Sequence, residues 1–378
     1  MGLSAGSPSR LRMPHRMLSV PAIMEQPRRD ADRAFVRAAL PRVSRTFAIN
    51  IRLLSGELGD AVRVGYLLCR AADALEDSWP GGVAQAPFDA LIEAVRGDAA
   101  AADRVAAAAA PLAHGRADLE LVAEFPRVWR VHMALPPDAR AAIAEGVTTL
   151  ASGMREFVTR AAQRPGAAYL ETERELHEYC FVVAGCVGIM LTRLFEREAH
   201  DASAERRARR LALAPAVGEA LQLTNILLDW PADVRRGRCY LPAAWLAEHG
   251  LSPADLVRAA DAGADATPKP GVREIVARIE RLARAALAQV PSYVALIPRR
   301  HWRYRLFCLW PALWASDSLD HARSDADFPW GARRPRLPRP RLWSAAWRSA
   351  LGLRGAASLA RGSAPGVIAS PASPSSAR

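Results

Sequence analysis

Two short stretches of this sequence carry aspartates at a four-residue spacing. In Gln222 to Pro242, QLTNILLDWPADVRRGRCYLP, these are Asp229 and Asp233, followed by Arg235, Arg236 and Arg238. Far upstream, Cys69 to Ser78, CRAADALEDS, holds Asp73 and Asp77 with Arg70 before them. Residues i and i+4 share a helix face, so each pair presents two carboxylates to one side. Two such faces opposed across a helical core make an acidic cleft suited to hard divalent cations. Mg2+ takes oxygen ligands and commonly bridges a few carboxylates to substrate phosphates, while arginine supplies planar forks for phosphate oxygens. The chemistry indicated is reaction on a diphosphate. A lone DxxxD is weak evidence, since most such pairs are solvated; here both pairs close an apolar stripe and both lie beside arginines.

The elements that must position these groups read as helices almost everywhere from Asp30 onward, with no convincing alternating strand, so the fold class is all-α. Leu58, Ala61, Val62, Gly65, Tyr66, Cys69 and Ala72 form a 3.6-residue stripe that runs into Asp73 and Asp77, and the breakers Ser78 to Gly82 end it. Pro136-Pro137-Asp138 opens a helix that runs to Arg164-Pro165-Gly166. Thr172 to Glu175 fits a capping box for the apolar segment ELHEYCFVVAGCVGIMLTRLF. That segment reads as a buried core helix and a poor membrane span, and no segment has the ~20 apolar residues a spanning helix needs. A basic helix is expected over Ser203 to Ala214, ending before Pro215. A second, Ala216 to Asp229, is interrupted at Pro231, which makes Asp233 the weakest of the four carboxylate assignments. Ser252 to Asp255 starts a further helix, Ala259 to Gly271 reads as a loop, and Val272 to Val290 and Arg300 to Leu319 as helices.

Composition bounds the rest. The 378 residues carry a net charge of +12, which points to an anionic partner. Lys269 is the only lysine, so part of the excess is arginine bias, and no zinc-finger spacing, aromatic RNA-binding signature or basic zipper is present; nucleic acid is not expected as a partner. Five cysteines without a CxxC pair read as reduced and cytoplasmic. Residues 1–29 read as a disordered basic extension without a secretory signal, with Met24 a candidate start. Residues 30–320 read as one domain, and 321–378 as an arginine- and proline-rich, then disordered, tail.

The chain resembles the squalene/phytoene synthase family of head-to-head prenyl transferases, through SRTFAINIRLLSGEL, YLLCRAADALEDS, EYCFVVAGCVGIMLTRLF, QLTNILLDWPADVRRGRCYLP and RLFCLWPAL, in the family's order over roughly 43–319. The SGEL, ALEDS, EYCxxVAG and LFC segments look closer to the squalene synthase branch; GRCYLP is shared with the phytoene synthase branch. The resemblance implies the isoprenoid synthase fold, a single helical bundle with a central active-site cavity. By that likeness Asp73, Asp77, Asp229 and Asp233 would hold Mg2+, and Arg45, Arg70 and Arg238 would grip diphosphates. Gln222 and Asn225 would complete the polar lining, Phe47 and Tyr66 would line the cavity, and Tyr179 would guide proton loss. Phe307 and Cys308 match a segment near the second-step pocket. The implied reaction joins two prenyl diphosphates, farnesyl diphosphate giving presqualene diphosphate and then squalene with NADPH.

Three departures stand out. Leu228 replaces the family's usual arginine before the second pair, a contact left to Arg235 or Arg236; Ala232 replaces an acidic residue; and Pro231 is unusual. The lysine/arginine motif implicated in the reductive step is not reproduced after Asp320, and no GxGxxG follows a strand, which gives no independent sign of a nicotinamide site. Trp343, Trp347 and Leu351, flanked by Arg341, Arg348 and Arg354, share a helical face suited to an anionic membrane interface, the inner face of the cell membrane, in competition with a tail without order. A monomer is expected. The alternatives are phytoene or dehydrosqualene synthase, an enzyme that stops at presqualene diphosphate, and an inactive prenyl-lipid-binding relative.

Overall fold

The computed structural model of the chain describes residues 20–80, 82–201, 203–262 and 270–324, with positions 338, 340, 344, 347, 349 and 359 beyond them. Among the described residues every regular element is helical. In chain order these are α1 (Val20–Val43), α2 (Arg45–Ile51), α3 (Gly56–Asp77), α4 (Gln85–Val95), α5 (Ala99–Ala109), α6 (Ala117–Ala123), α7 (Phe125–Met133) and α8 (Pro137–Ala162). There follow α9 (Glu173–Cys180), a π-helical segment (Phe181–Gly185), α10 (Cys186–Ala199), α11 (Ala204–Arg235), α12 (Ala243–Glu248), α13 (Pro253–Ala262), α14 (Pro270–Leu287), α15 (Val290–Ala295) and α16 (Trp302–Ser324).

Three packing relations position the site. The α3 stripe is buried from Leu58 to Leu75 and packs on α8. The α9–π–α10 run packs on α8 and α11. Where the π segment and α10 cross α11 the backbones nearly touch: a Cβ on Gly188 would lie 2.2 Å from the Ala214 carbonyl oxygen, and one on Gly218 2.1 Å from that of Ala184. Only residues without a side chain allow that approach. On the far side of α11 lie α14, α13 and α16.

Several boundaries differ from the sequence reading. Helix α1 begins at Val20, inside the stretch read as a disordered extension; residues 1–19 lie outside the described residues. The loop expected from Ala259 is helical through Ala262. The Thr172 hydroxyl does cap α9 by accepting from the Glu175 N–H at 3.2 Å, but the Glu175 carboxylate accepts from the Glu171 N–H at 2.7 Å, one residue upstream of a reciprocal capping box. Most consequentially, α11 runs unbroken through Pro215 and Pro231 to Arg235. A proline removes one helical donor and crowds the preceding turn. Pro231 is buried, its carbonyl accepts from Arg235 Nη1 at 3.3 Å, and the buried side chains of Trp230 and Val234 anchor the turn that contains it.

Two stretches, Glu173–Ala199 and Ala204–Arg235, are long and apolar enough to cross a membrane by length and composition, contrary to the sequence reading. They pack against each other and carry the site residues Tyr179, Asp229 and Asp233, so their apolar faces are those of core helices in a bundle.

Candidate active site

Helices α3 and α11 do not pack together; a cavity of about 980 Å3 separates them. One wall is the end of α3, with Arg70, Asp73, Glu76 and Asp77. The other is α11 with Gln222, Asn225, Asp229 and Asp233. Met154, Tyr179 and Val183 contribute from α8, α9 and the π segment. The continuous helix through Pro231 keeps Asp233 one turn beyond Asp229 on the same face, so both carboxylate pairs line one space. After α11 the chain reverses at Gly237, whose φ of +77° suits glycine, and the Asp233 carbonyl accepts from the Arg238 N–H at 2.9 Å. That turn brings Arg238 across to α3, where it pairs with the Asp77 carboxylate and donates to the Glu76 carbonyl at 2.6 Å.

The three arginines that follow α11 have different fates. Arg235 turns outward and donates to Asp261 at 2.9 Å and to the Ala260 carbonyl. Arg238 bridges to α3. Arg236 lines the cavity beside Asp233. Leu228, at the position where the family places an arginine, is buried in the core, which leaves Arg236 rather than Arg235 as the cation on that wall.

Sequence reasoning missed Glu76 and Tyr240. Glu76 continues the buried stripe one turn after Ala72, a signal that was available; it is 7% exposed and its Oε1 is buried with no partner. Tyr240 stacks on Tyr179 with centroids 5.0 Å apart, and Phe157 meets Tyr179 edge-on at 5.2 Å. As Tyr240 lies in the irregular segment between α11 and α12, no helical periodicity marks it. Of the other residues singled out from sequence, Phe47 and Tyr66 pair at 5.6 Å one turn before Arg70, beside the cavity lining rather than in it. Phe307 and Cys308 are buried on α16 and are not among the residues that line this cavity. The Phe307 carbonyl accepts from Asn50 Nδ2 at 2.8 Å, tying α16 to the helix that carries Phe47. The side chain of Arg45 lies outside the described residues.

Five acids facing one space are electrostatically costly. Burial first, then the neighbouring carboxylates Asp77 and Asp73, push Glu76 up to about 8. Burial raises Asp73 to about 6 against the pull of Arg70, 2.8 Å away, with Asp77 adding to the rise. Burial and then Asp229 raise Asp233 to about 7. Burial, with Glu76 nearby, drives Tyr179 well above the ordinary phenol range. No group of three or more metal-binding side chains converges on one point among the described residues. All-oxygen donors in two facing pairs, with a buried orphan carboxylate oxygen of Glu76 on the α3 wall, fit Mg2+ held jointly by protein and substrate phosphate rather than caged by protein.

A pH dependence follows. The unfolded chain releases these carboxyl protons near pH 4 and the folded chain releases them later. The divalent-free protein is therefore expected to lose stability as pH rises from about 4 to about 8. Saturating Mg2+ should raise the melting temperature more at about pH 8 than at about pH 5. Equal gains at both pH values would contradict this reading of the cavity.

The family model for squalene/phytoene synthase matches residues 40–341. The chain belongs to the squalene/phytoene synthase family. It is therefore a member of a family of head-to-head prenyl transferases with the all-α isoprenoid synthase fold. Squalene synthase of Bos taurus is 30% identical over 220 residues, covering 54% of this chain and 45% of its own length. Phytoene synthase of Thermus thermophilus is 41% identical over 120 residues, covering 32% of this chain and 36% of its own. The matches thus span less than half the length of these relatives. Among solved structures, the complex of TcSQS with the ligand BPH1237 superposes with a TM-score of 0.67 at 23% identity, over 84% of this chain and 86% of that one, a likeness of fold.

Proposed function

We propose that this synthase joins two molecules of farnesyl diphosphate head to head, giving presqualene diphosphate and, with NADPH, squalene. The observation that carries this reading is the placement of both aspartate pairs on opposite walls of one cavity, with Arg70, Arg236 and Arg238 at its edges. Asp73 and Asp77 on α3, and Asp229 and Asp233 on α11, would hold Mg2+. When bound, the ions supply charge neutralisation of the departing diphosphate, so the allylic C–O bond ionises without a strong acid.

The chain's own residues do the remainder. Arg70, Arg236 and Arg238 donate to phosphate oxygens and fix the leaving group in place. Met154, Val183, Ile226 and the stacked Tyr179 and Tyr240 keep water from the allylic cation. The C2–C3 double bond of the second substrate attacks that cation, and loss of a proton to the released diphosphate closes the cyclopropane. Tyr179, neutral and locked between Phe157 and Tyr240, orients the cation for that step. A second ionisation, rearrangement and hydride transfer from NADPH then give squalene.

Phytoene synthesis from geranylgeranyl diphosphate is the second reading, favoured by the 41% identity to the Thermus phytoene synthase segment. An enzyme that makes dehydrosqualene or stops at presqualene diphosphate remains in the same class. Ala232 on the cavity wall, in place of an acid, favours instead an inactive prenyl-lipid-binding relative. Purified protein with Mg2+ and either substrate, with and without NADPH, separates these readings. Squalene from farnesyl diphosphate only when NADPH is present is the expected product. Phytoene from the longer substrate would replace the first reading by the second, and tight binding without turnover would favour the inactive relative.

A further inference from the structure

Arg238 reaches the mouth of the cavity from a turn, where a long side chain has many rotamers to lose. Its backbone is braced from one side. The segment between α8 and α9 runs beside the chain that leads from Cys239 into α12. The Cys239 carbonyl accepts from the Tyr169 N–H at 2.8 Å, and the Leu170 and Glu171 carbonyls accept from the Ala243 and Ala244 N–H groups at 2.8 and 3.0 Å. This pairing sets Tyr169 alongside the turn that carries Arg238. Tyr169 belongs to none of the segments that carry the family likeness.

The side chains meet as well. The Tyr169 ring contacts that of Tyr240 edge-on, with centroids 5.2 Å apart, and Tyr240 in turn stacks on Tyr179. From this row the half-buried Tyr169 turns its hydroxyl to the Arg238 guanidinium, which donates to it. Burial pushes the phenol above its ordinary value, with Arg238 the first influence opposing the rise, so the group is neutral near pH 7. The other partners of Arg238 are the Asp77 carboxylate and the Glu76 carbonyl. Asp77 is one of the acids assigned above to Mg2+, and a bound cation would compete with Arg238 for it. A neutral phenol accepts a hydrogen bond without cancelling the positive charge, so an arginine anchored by it still attracts phosphate oxygens.

We propose that Tyr169 is a positioning residue, whose hydroxyl holds the Arg238 guanidinium at the cavity mouth in the place where it meets a substrate diphosphate. Tyr169 acts through Arg238 and does not itself touch the reacting atoms. Its role rests on the diphosphate reading of the cavity given above, and binding of diphosphate alone reads it without any turnover.

The test is calorimetric titration of the full-length protein with inorganic diphosphate in saturating Mg2+. Tyr169→Phe is expected to weaken binding about fivefold, with an unchanged melting curve because the ring keeps its contact with Tyr240. Arg238→Gln should weaken it about tenfold or more. Adding Tyr169→Phe to Arg238→Gln should weaken it no further, since the hydroxyl acts only through the guanidinium. Tyr169→Leu, which also loses the ring, should lower the melting temperature yet bind diphosphate no worse than Tyr169→Phe. Wild-type affinity in Tyr169→Phe, additive losses in the double variant, or a loss confined to Tyr169→Leu overturns the role of Tyr169 and leaves the diphosphate site standing. A wild-type protein that binds no diphosphate overturns the reading of the cavity, and the role of Tyr169 with it.

Discussion

Asp73→Asn is expected to lower kcat/KM for prenyl diphosphate by about a thousandfold or more, with little change in fold. The aspartate lies on the α3 wall of the cavity, raised to about 6 by burial, with Arg70 pairing at 2.8 Å and Asp77 adding to the rise. Asparagine keeps the shape and a hydrogen-bond acceptor for Arg70 but loses the charge that would hold a divalent cation. Stability of the divalent-free variant should therefore change by less than about 1 kcal/mol, and its melting temperature should no longer respond to Mg2+. Asp89→Asn serves as the control, because Asp89 is an exposed acid paired with Arg155 away from the cavity; its activity should stay near wild type. A Asp73→Asn protein that turns over normally, or that still gains the full Mg2+ stabilisation, would remove α3 from the metal site.

The largest effect on stability is expected far from the cavity. Arg210 on α11 is fully buried and reaches both carboxylate oxygens of Glu196, at 2.6 and 2.9 Å, as well as Asp201 at 2.9 Å and the Leu296 carbonyl at 2.6 Å. This cluster ties α11 to the end of α10 and to the turn after α15. Arg210→Met removes the cation and leaves two acids with their principal partner gone, which costs about 3–5 kcal/mol in comparable buried pairs. A fall in melting temperature of roughly 5–15 °C is expected, with a matching drop in the urea midpoint. A loss below about 1 kcal/mol would show that the cluster is better solvated than its geometry indicates.

The contrast between these sites explains what could be read from the sequence. The α3 wall was legible because an apolar 3.6-residue stripe carries straight into Asp73 and Asp77, and burial of that stripe fixes where the carboxylates point. The α11 wall was legible only to Asp229. Proline rules predict a break at Pro215 and again at Pro231, yet the local cost of each is outweighed by tertiary packing along a 32-residue helix. Asp233 thereby reaches the cavity. Arg236 could not be chosen over Arg235 from sequence, since adjacent residues point to different sides and only Asp261, from a distant helix, decides which one is drawn away. Tyr240 owes its place to the turn at Gly237 and to stacking on Tyr179, both long-range outcomes. Helix α16 was readable from its apolar pattern, and Phe307 and Cys308 are among its buried residues.

The most direct test of the central claim is to incubate the purified protein with labelled farnesyl diphosphate and Mg2+, without NADPH, and to follow product and inorganic diphosphate together. Presqualene diphosphate is the predicted product, with one diphosphate released for every two substrates consumed and no reaction when Mg2+ is chelated. Farnesol alone, or diphosphate release that persists in the chelated protein, would contradict head-to-head condensation between the two aspartate walls.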